Sequence, residues 1–113
     1  MTLREITTLL HGHVCTGEAY LDEEVSTAFA SDLMSDVLTL NDTPLLITGL
    51  CNMQTIRTCD MACLSHVVIV RNKTPNEEML ELAADNDMVV ITTEFSMFRT
   101  CGLLFQSGIK PLY

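Results

Sequence analysis

Three short apolar runs set the rhythm of the chain. Leu45-Leu46-Ile47-Thr48 ends in Gly49, Val67-Val68-Ile69-Val70 ends in Arg71-Asn72, and Met88-Val89-Val90-Ile91 ends in Thr92-Thr93. Continuous apolar runs of this length, without polar alternation, predict strands buried on both faces. Helical spacing follows each run: Ile56, Cys59 and Cys63 on one face, then Met79, Leu82 and Ala83, then Phe98, Cys101 and Phe105. The middle helix has a start signal in Thr74 as N-cap, Pro75 at the first position and Glu77 at the third.

The first 44 residues are less regular. Thr2 and Glu5 form a capping-box pair ahead of Leu3, Ile6, Leu9 and Leu10, which predicts a short helix that stops near Gly12. His13 to Thr16 fits a short strand, and Thr16-Gly17-Glu18-Ala19 a turn. Val25 to Ala30 is β-compatible; Ser31 or Asp32 then caps a helix with Leu33, Met34, Val37, Leu38 and Leu40 before the break at Asn41-Asp42-Thr43-Pro44. Strand and helix in alternation are the mark of βαβ units with parallel strands and right-handed crossovers. The expectation is an α/β fold: a small, mostly parallel sheet with helices on both faces and a short N-terminal helix, built as one domain over residues 1–113.

That architecture locates a site without any motif. Ligands of open parallel sheets bind beyond the carboxyl ends of the strands, where the next helices point their N-termini. The rim so defined holds Ser31 and Asp32; Thr48, Gly49, Asn52 and Gln54; Arg71, Asn72 and Lys73; Thr92, Thr93 and Glu94, with Arg57 and Arg99 just behind.

Charge sharpens this picture. Six Lys and Arg against fifteen Asp and Glu give −9 on 113 residues, which excludes a lone nucleic-acid binder for want of a basic footprint. Four of the six basic residues, Arg57, Arg71, Lys73 and Arg99, follow strands directly, so a local cationic rim suits a phosphate or nucleotide. The competing reading is that Arg71 and Lys73 are solvated and Arg57 pairs with Asp60 along its helix. The acids are dense before Asn41 and from Glu77 to Asp87, and the acidic first 42 residues offer a docking face for a basic partner. Hydrophobic content of 48% and a mean hydropathy of +0.29 support a packed core. No run is long enough for a membrane span, and the start MTLREITTLL is not built like a signal peptide, so the expected location is cytoplasmic.

Catalytic templates fail. The phosphate-loop lysine motif and the dinucleotide glycine fingerprint are both absent. His11, His13 and Cys15 have a metal-like spacing without an evident fourth ligand, and Cys59 and Cys63 read as core packing. Neither metal nor cofactor is expected. Cys51 is the candidate reactive thiol, because a helix start lowers a thiol pKa while burial raises it. The odd set of five cysteines in apolar segments suits a reducing compartment.

Several segments together carry a resemblance. Thr16-Gly17-Glu18, Leu21 to Val25, Ala30 to Leu38, Leu45 to Leu50 with Asn52, Gln54, Ile56, Arg57 and Thr58, and TEFSMFRTCG over 93–102 resemble the stand-alone DRTGG-domain proteins over nearly the whole chain. The resemblance implies an α/β accessory domain of the kind found beside HPr kinase, phosphotransacetylase and CBS-containing pyrophosphatase modules, concerned with dimerisation and regulation. The stretch that names the family is not kept: Leu50-Cys51-Asn52 and Arg71-Asn72-Lys73 stand at its two halves. The expected function is a non-catalytic regulatory or scaffold module, homodimeric, binding a nucleotide or other small anionic metabolite at the rim through Ser31, Asp32, Thr48, Gly49, Asn52, Arg57, Arg71, Asn72, Thr92, Thr93 and Glu94. The alternatives are a partner-binding subunit of a redox or signalling complex, and a small enzyme using Cys51, Asp32 or Glu94.

Overall fold

The computed structural model describes all 113 residues. Helix α1 (Leu3–Leu9) leads into β1 (His13–Thr16), and a 3-10 turn (Glu18–Tyr20) precedes β2 (Thr27–Ala30). The remainder alternates as α2 (Met34–Val37), β3 (Leu45–Thr48), α3 (Met53–Met61), β4 (His66–Ile69), α4 (Glu77–Asp85), β5 (Val89–Thr92), α5 (Met97–Gln106) and β6 (Lys110–Pro111). The strands form one sheet in the order β1-β5-β4-β3-β2-β6, parallel except for β1, which runs antiparallel to β5. The mostly parallel α/β architecture expected from the runs is the one observed.

Handedness explains the two layers of helices. From β2 to β5 the sheet grows one strand at a time in one direction, so right-handed crossovers put α2, α3 and α4 on the same face. After β5 the chain returns across the whole sheet to β6. The same handedness then places α5 on the opposite face, beside α1.

Alternation along the strands feeds the two cores. Leu45, Ile47, Val68, Val70, Val89 and Ile91 pack against Leu3, Ile6 and Leu10 of the α1 segment and Leu104 of α5. Leu46, Val67, Ile69 and Val90 pack against Met34, Val37, Ile56, Cys59, Met79 and Ala83. Gly17 turns the chain after β1 at φ +85°, and a Cβ there would fall 2.8 Å from the Val89 backbone, so the turn requires glycine.

The capping box at Thr2 and Glu5 forms as expected. Other helix ends move. The cap of α4 is Asn76, not Thr74, its side chain accepting from Met79 N, so Pro75 lies before the helix. α2 starts after Leu33 with no side-chain cap, because Asp32 is engaged elsewhere and Ser31 instead accepts from Leu33 N. α3 ends at Met61, which leaves Cys63 outside it at φ +60° and exposed. On α5 the Phe98 and Phe105 stripe faces solvent, and Thr100 and Leu104 are the residues turned inward.

Candidate functional site at the carboxyl rim

The strand ends expected to form the rim border two separate clefts. At the centre of the rim, β3 ends in Thr48-Gly49 beside the loop after β2. The Asp32 carboxylate accepts from Gly49 N at 2.6 Å and from Thr48 Oγ1 at 3.0 Å, and the Thr48 hydroxyl in turn accepts from Leu50 N. Backbone donors to a carboxylate are strong anchors, so Asp32 is fixed at the mouth of the β3 loop. Lys73 Nζ donates to the Gly49 carbonyl from the other side.

Between these groups and the start of α5 lies a cleft of about 440 Å³, lined by Asp32, Gly49, Val70, Arg71, Lys73, Ser96, Met97 and Phe98. Ser96 caps α5 by accepting from Arg99 N, which leaves the first-turn N–H groups of Met97 and Phe98 without intrahelical partners at the cleft. Arg71 and Asn72 hold left-handed conformations, φ +70° and +57°, while their N–H groups bond the carbonyls of Phe95 and Thr93. That conformation is costly for non-glycine residues, and it is held here by the loop before α5. Neither Arg71 nor Lys73 has a carboxylate partner within ion-pair distance. Arg99 lies 3.8 Å from the centre of the Phe95 ring, an attraction of a cation to the ring face.

A second, smaller pocket of about 180 Å³ sits beyond the Arg71-Asn72 loop, lined by His11, His13, Asn72, Thr92, Thr93 and Glu94. Its histidines arrive because β1 is antiparallel: His13 pairs with Thr92, so the beginning of β1 meets the end of β5. Thr93 is buried, donating to Leu10 O and accepting from Phe95 N, and so ties α1 to the rim. His11, at φ +49°, packs its ring against Phe95. No group of three or more His, Cys, Asp or Glu is placed to hold a metal ion.

Of the expected residues, the structure brings Asp32, Gly49 and Arg71 to one cleft and Asn72, Thr92, Thr93 and Glu94 to the other. Ser31, Thr48, Asn52 and Arg57 line neither. Thr48 is fully buried as a scaffold for Asp32, Asn52 caps α3 by accepting from Thr55 N, and Arg57 is exposed without an ion-pair partner, Asp60 included. Ser96, Met97, Phe98 and the two histidines are lining residues that strand ends alone did not indicate. Ser96, an N-cap residue type before an apolar helix, was the available signal.

Burial decides the state of the thiols. It pushes the Cys51 thiol up, against the lowering effect of Lys73, and does the same at Cys15 and Cys101. Cys59, walled in by the second core, is pushed up to about 12. Burial thus opposes formation of the nucleophilic thiolate at Cys51. What the central cleft offers is cationic and hydrogen-bonding reception of an anion, with one carboxylate facing it.

No family model matches the chain, and no curated protein matches it. A solved structure does: the CBS and DRTGG domains of the regulatory region of Clostridium perfringens pyrophosphatase, complexed with the activator diadenosine tetraphosphate. The TM-score is 0.74 at 20% identity, over 96% of this chain and 47% of that one. The chain therefore spans about half the length of this structural neighbour, and the likeness establishes a shared fold with part of a pyrophosphatase regulatory region.

Proposed function

We propose that this chain is a regulatory module of the DRTGG type, one domain over residues 1–113, that has no catalysis of its own, works as a homodimer and takes up a nucleotide or other small anionic metabolite at the carboxyl rim. The observation that carries the reading is the central cleft. On a protein of net charge −9, it gathers two cations without carboxylate partners and the start of a ten-residue helix. Opposed charges and unpartnered N–H groups favour a phosphate there. The fold shared with a pyrophosphatase regulatory region supports the regulatory type.

Arg71, Lys73 and the N–H groups of Met97 and Phe98 receive the phosphates. Asp32 and Gly49 shape the mouth, with Ser31, Thr48 and Asn52 as framework and Arg57 as a more distant positive charge. Asp32 faces the same cleft and selects for ligands that bring a hydroxyl or amine donor beside the phosphate, as a nucleoside does. Asn72, Thr92, Thr93 and Glu94 extend the rim towards the histidines.

The test is a thermal-shift series with nucleoside mono-, di- and triphosphates and phosphorylated metabolites. A ligand at one hundred times its Kd stabilises the fold by about 2.7 kcal/mol, which on a chain of this size raises the Tm by roughly 10 °C. No shift with any of these compounds overturns the ligand-binding reading.

A further inference from the structure

The outer side of α5 carries an apolar stripe that nothing in the monomer covers. Phe98 is 90% exposed and Phe105 68%, with Cys101 half-buried and Gly102 exposed between them. These residues follow i, i+3, i+4 and i+7, which is one helix face. Gly102 lies in the helix interior, where glycine is disfavoured relative to alanine. The monomer gives no reason for it: its φ is not left-handed, and a Cβ would meet nothing within 4 Å. A missing side chain at an open position lets a second helix approach closely.

A groove of about 170 Å³ opens beside the stripe, between α5 and the β2/β6 edge. Small residues of β2, Ala28 and Ala30, leave the space, and Ile47, Leu104, Phe105 and Ile109 wall it. An apolar cavity of about 150 Å³ accommodates a benzene ring, so this groove has room for one phenyl side chain.

The arrangement is self-complementary. Phe98 and Phe105 are equally far from the point between Cys101 and Gly102. If two copies of α5 pack antiparallel about a twofold axis at that point, Phe98 of each copy meets Phe105 and the groove of the other. Charge singles out the same face. Residues 95–113 contain no Asp or Glu and two cations, Arg99 and Lys110, so two such faces repel less than the acidic remainder of a −9 chain does. Arg99 is drawn onto Phe95, and Lys110 lies at the groove.

We infer that α5 is the surface through which two copies of this chain pair, antiparallel about Cys101 and Gly102, each copy's Phe98 seated against Phe105 and the groove of the other. The inference rests on the homodimeric part of the proposed function and deepens it by naming the interface. Phe98 also borders the ligand cleft, so the interface and the cleft share a residue.

Sedimentation velocity of the full chain over about a hundredfold range of concentration tests it, with thermal melts to confirm folding. The wild type sediments as a dimer. Phe105→Lys and Phe98→Glu, both at exposed positions, each weaken the dimer by about thirtyfold or more. Gly102→Gln fills open space with a helix former, so its melt at the lowest concentration, where the chain is monomeric, does not fall while its dimer weakens. The double variant F98E/F105K sets opposite charges face to face only in the antiparallel register, and it recovers dimer relative to either single change. A wild-type monomer at every concentration overturns the homodimeric reading and the interface together. A dimer indifferent to Phe105→Lys and Gly102→Gln leaves that reading standing and overturns the interface, and a double variant no better than the singles overturns the register.

Discussion

At the amino-terminal ends of the parallel strands the molecule gathers all its ion pairs, and at the carboxyl-terminal ends it has none. The terminal amine of Met1 meets Glu24 at 3.2 Å, Arg4 meets Asp22 at 3.1 Å, and the His66 ring at the start of β4 hydrogen-bonds the Glu23 carboxylate at 2.9 Å. Across the sheet, Arg71 and Lys73 line a cleft with no carboxylate within ion-pair distance. Both ends use the same residue types. The difference is that one end compensates its charges internally, Met1 with Glu24 and Arg4 with Asp22 within the N-terminal segment and Glu23 with His66 of β4, while the other leaves Arg71 and Lys73 without carboxylate partners. Three of the acids in the first 42 residues, Asp22, Glu23 and Glu24, already have partners.

The sharpest way to break this contrast is at Arg71. Its left-handed backbone costs roughly 1 kcal/mol that glycine does not incur, so Arg71→Gly leaves the melting temperature unchanged or higher while nucleotide affinity falls by tenfold or more, on the order of 1.4 kcal/mol. A parallel loss of stability and binding would make Arg71 a structural residue instead. Asp32 tests the same end through stability. Asp32→Ala removes the acceptor of two hydrogen bonds and costs about 2 kcal/mol in chemical denaturation. Asp32→Asn keeps an acceptor and removes the negative charge from the cleft, so anion affinity rises.

At the amino end the effects are smaller and have a different pH signature. Thr2→Ala removes a helix cap and costs about 1 kcal/mol near neutral pH. Glu5 is held below the ordinary carboxylate range first by the bond from the Thr2 backbone and then by the Thr2 side chain. A carboxylate with a lowered folded value stabilises at neutral pH and loses that contribution as the pH falls through it. Acid unfolding curves of wild type and Glu5→Gln should therefore converge in acid; a constant gap would remove Glu5 from the account. Smallest is His66→Gln, which loses a partly exposed pair worth at most about 1 kcal/mol and leaves ligand binding unaltered.

The three apolar runs made the parallel strands legible because burial on both faces imposes a pattern that no surface element shares. Which side of α5 is covered was not legible. Phe98, Cys101 and Phe105 have the spacing of a core stripe, yet Thr100 and Leu104 face the sheet, since helical spacing fixes a face without saying what it meets. The rim was legible as a place, and Asp32, Gly49 and Arg71 follow from it directly. His11 and His13 were not, because their arrival depends on β1 running antiparallel, a property of pairing rather than of local sequence. Asp32 likewise reads locally as a helix cap; its reach to Gly49 is a contact between residues far apart in the chain.

Calorimetric titration of the wild type and Arg71→Gly with a nucleoside triphosphate, at low and at moderate salt, bears most directly on the claim that the rim is an anion-receiving regulatory site. The wild type should bind with an affinity that weakens as salt rises, and Arg71→Gly should bind at least tenfold more weakly while melting no lower. Equal binding by the two proteins, or none by the wild type, would contradict the account.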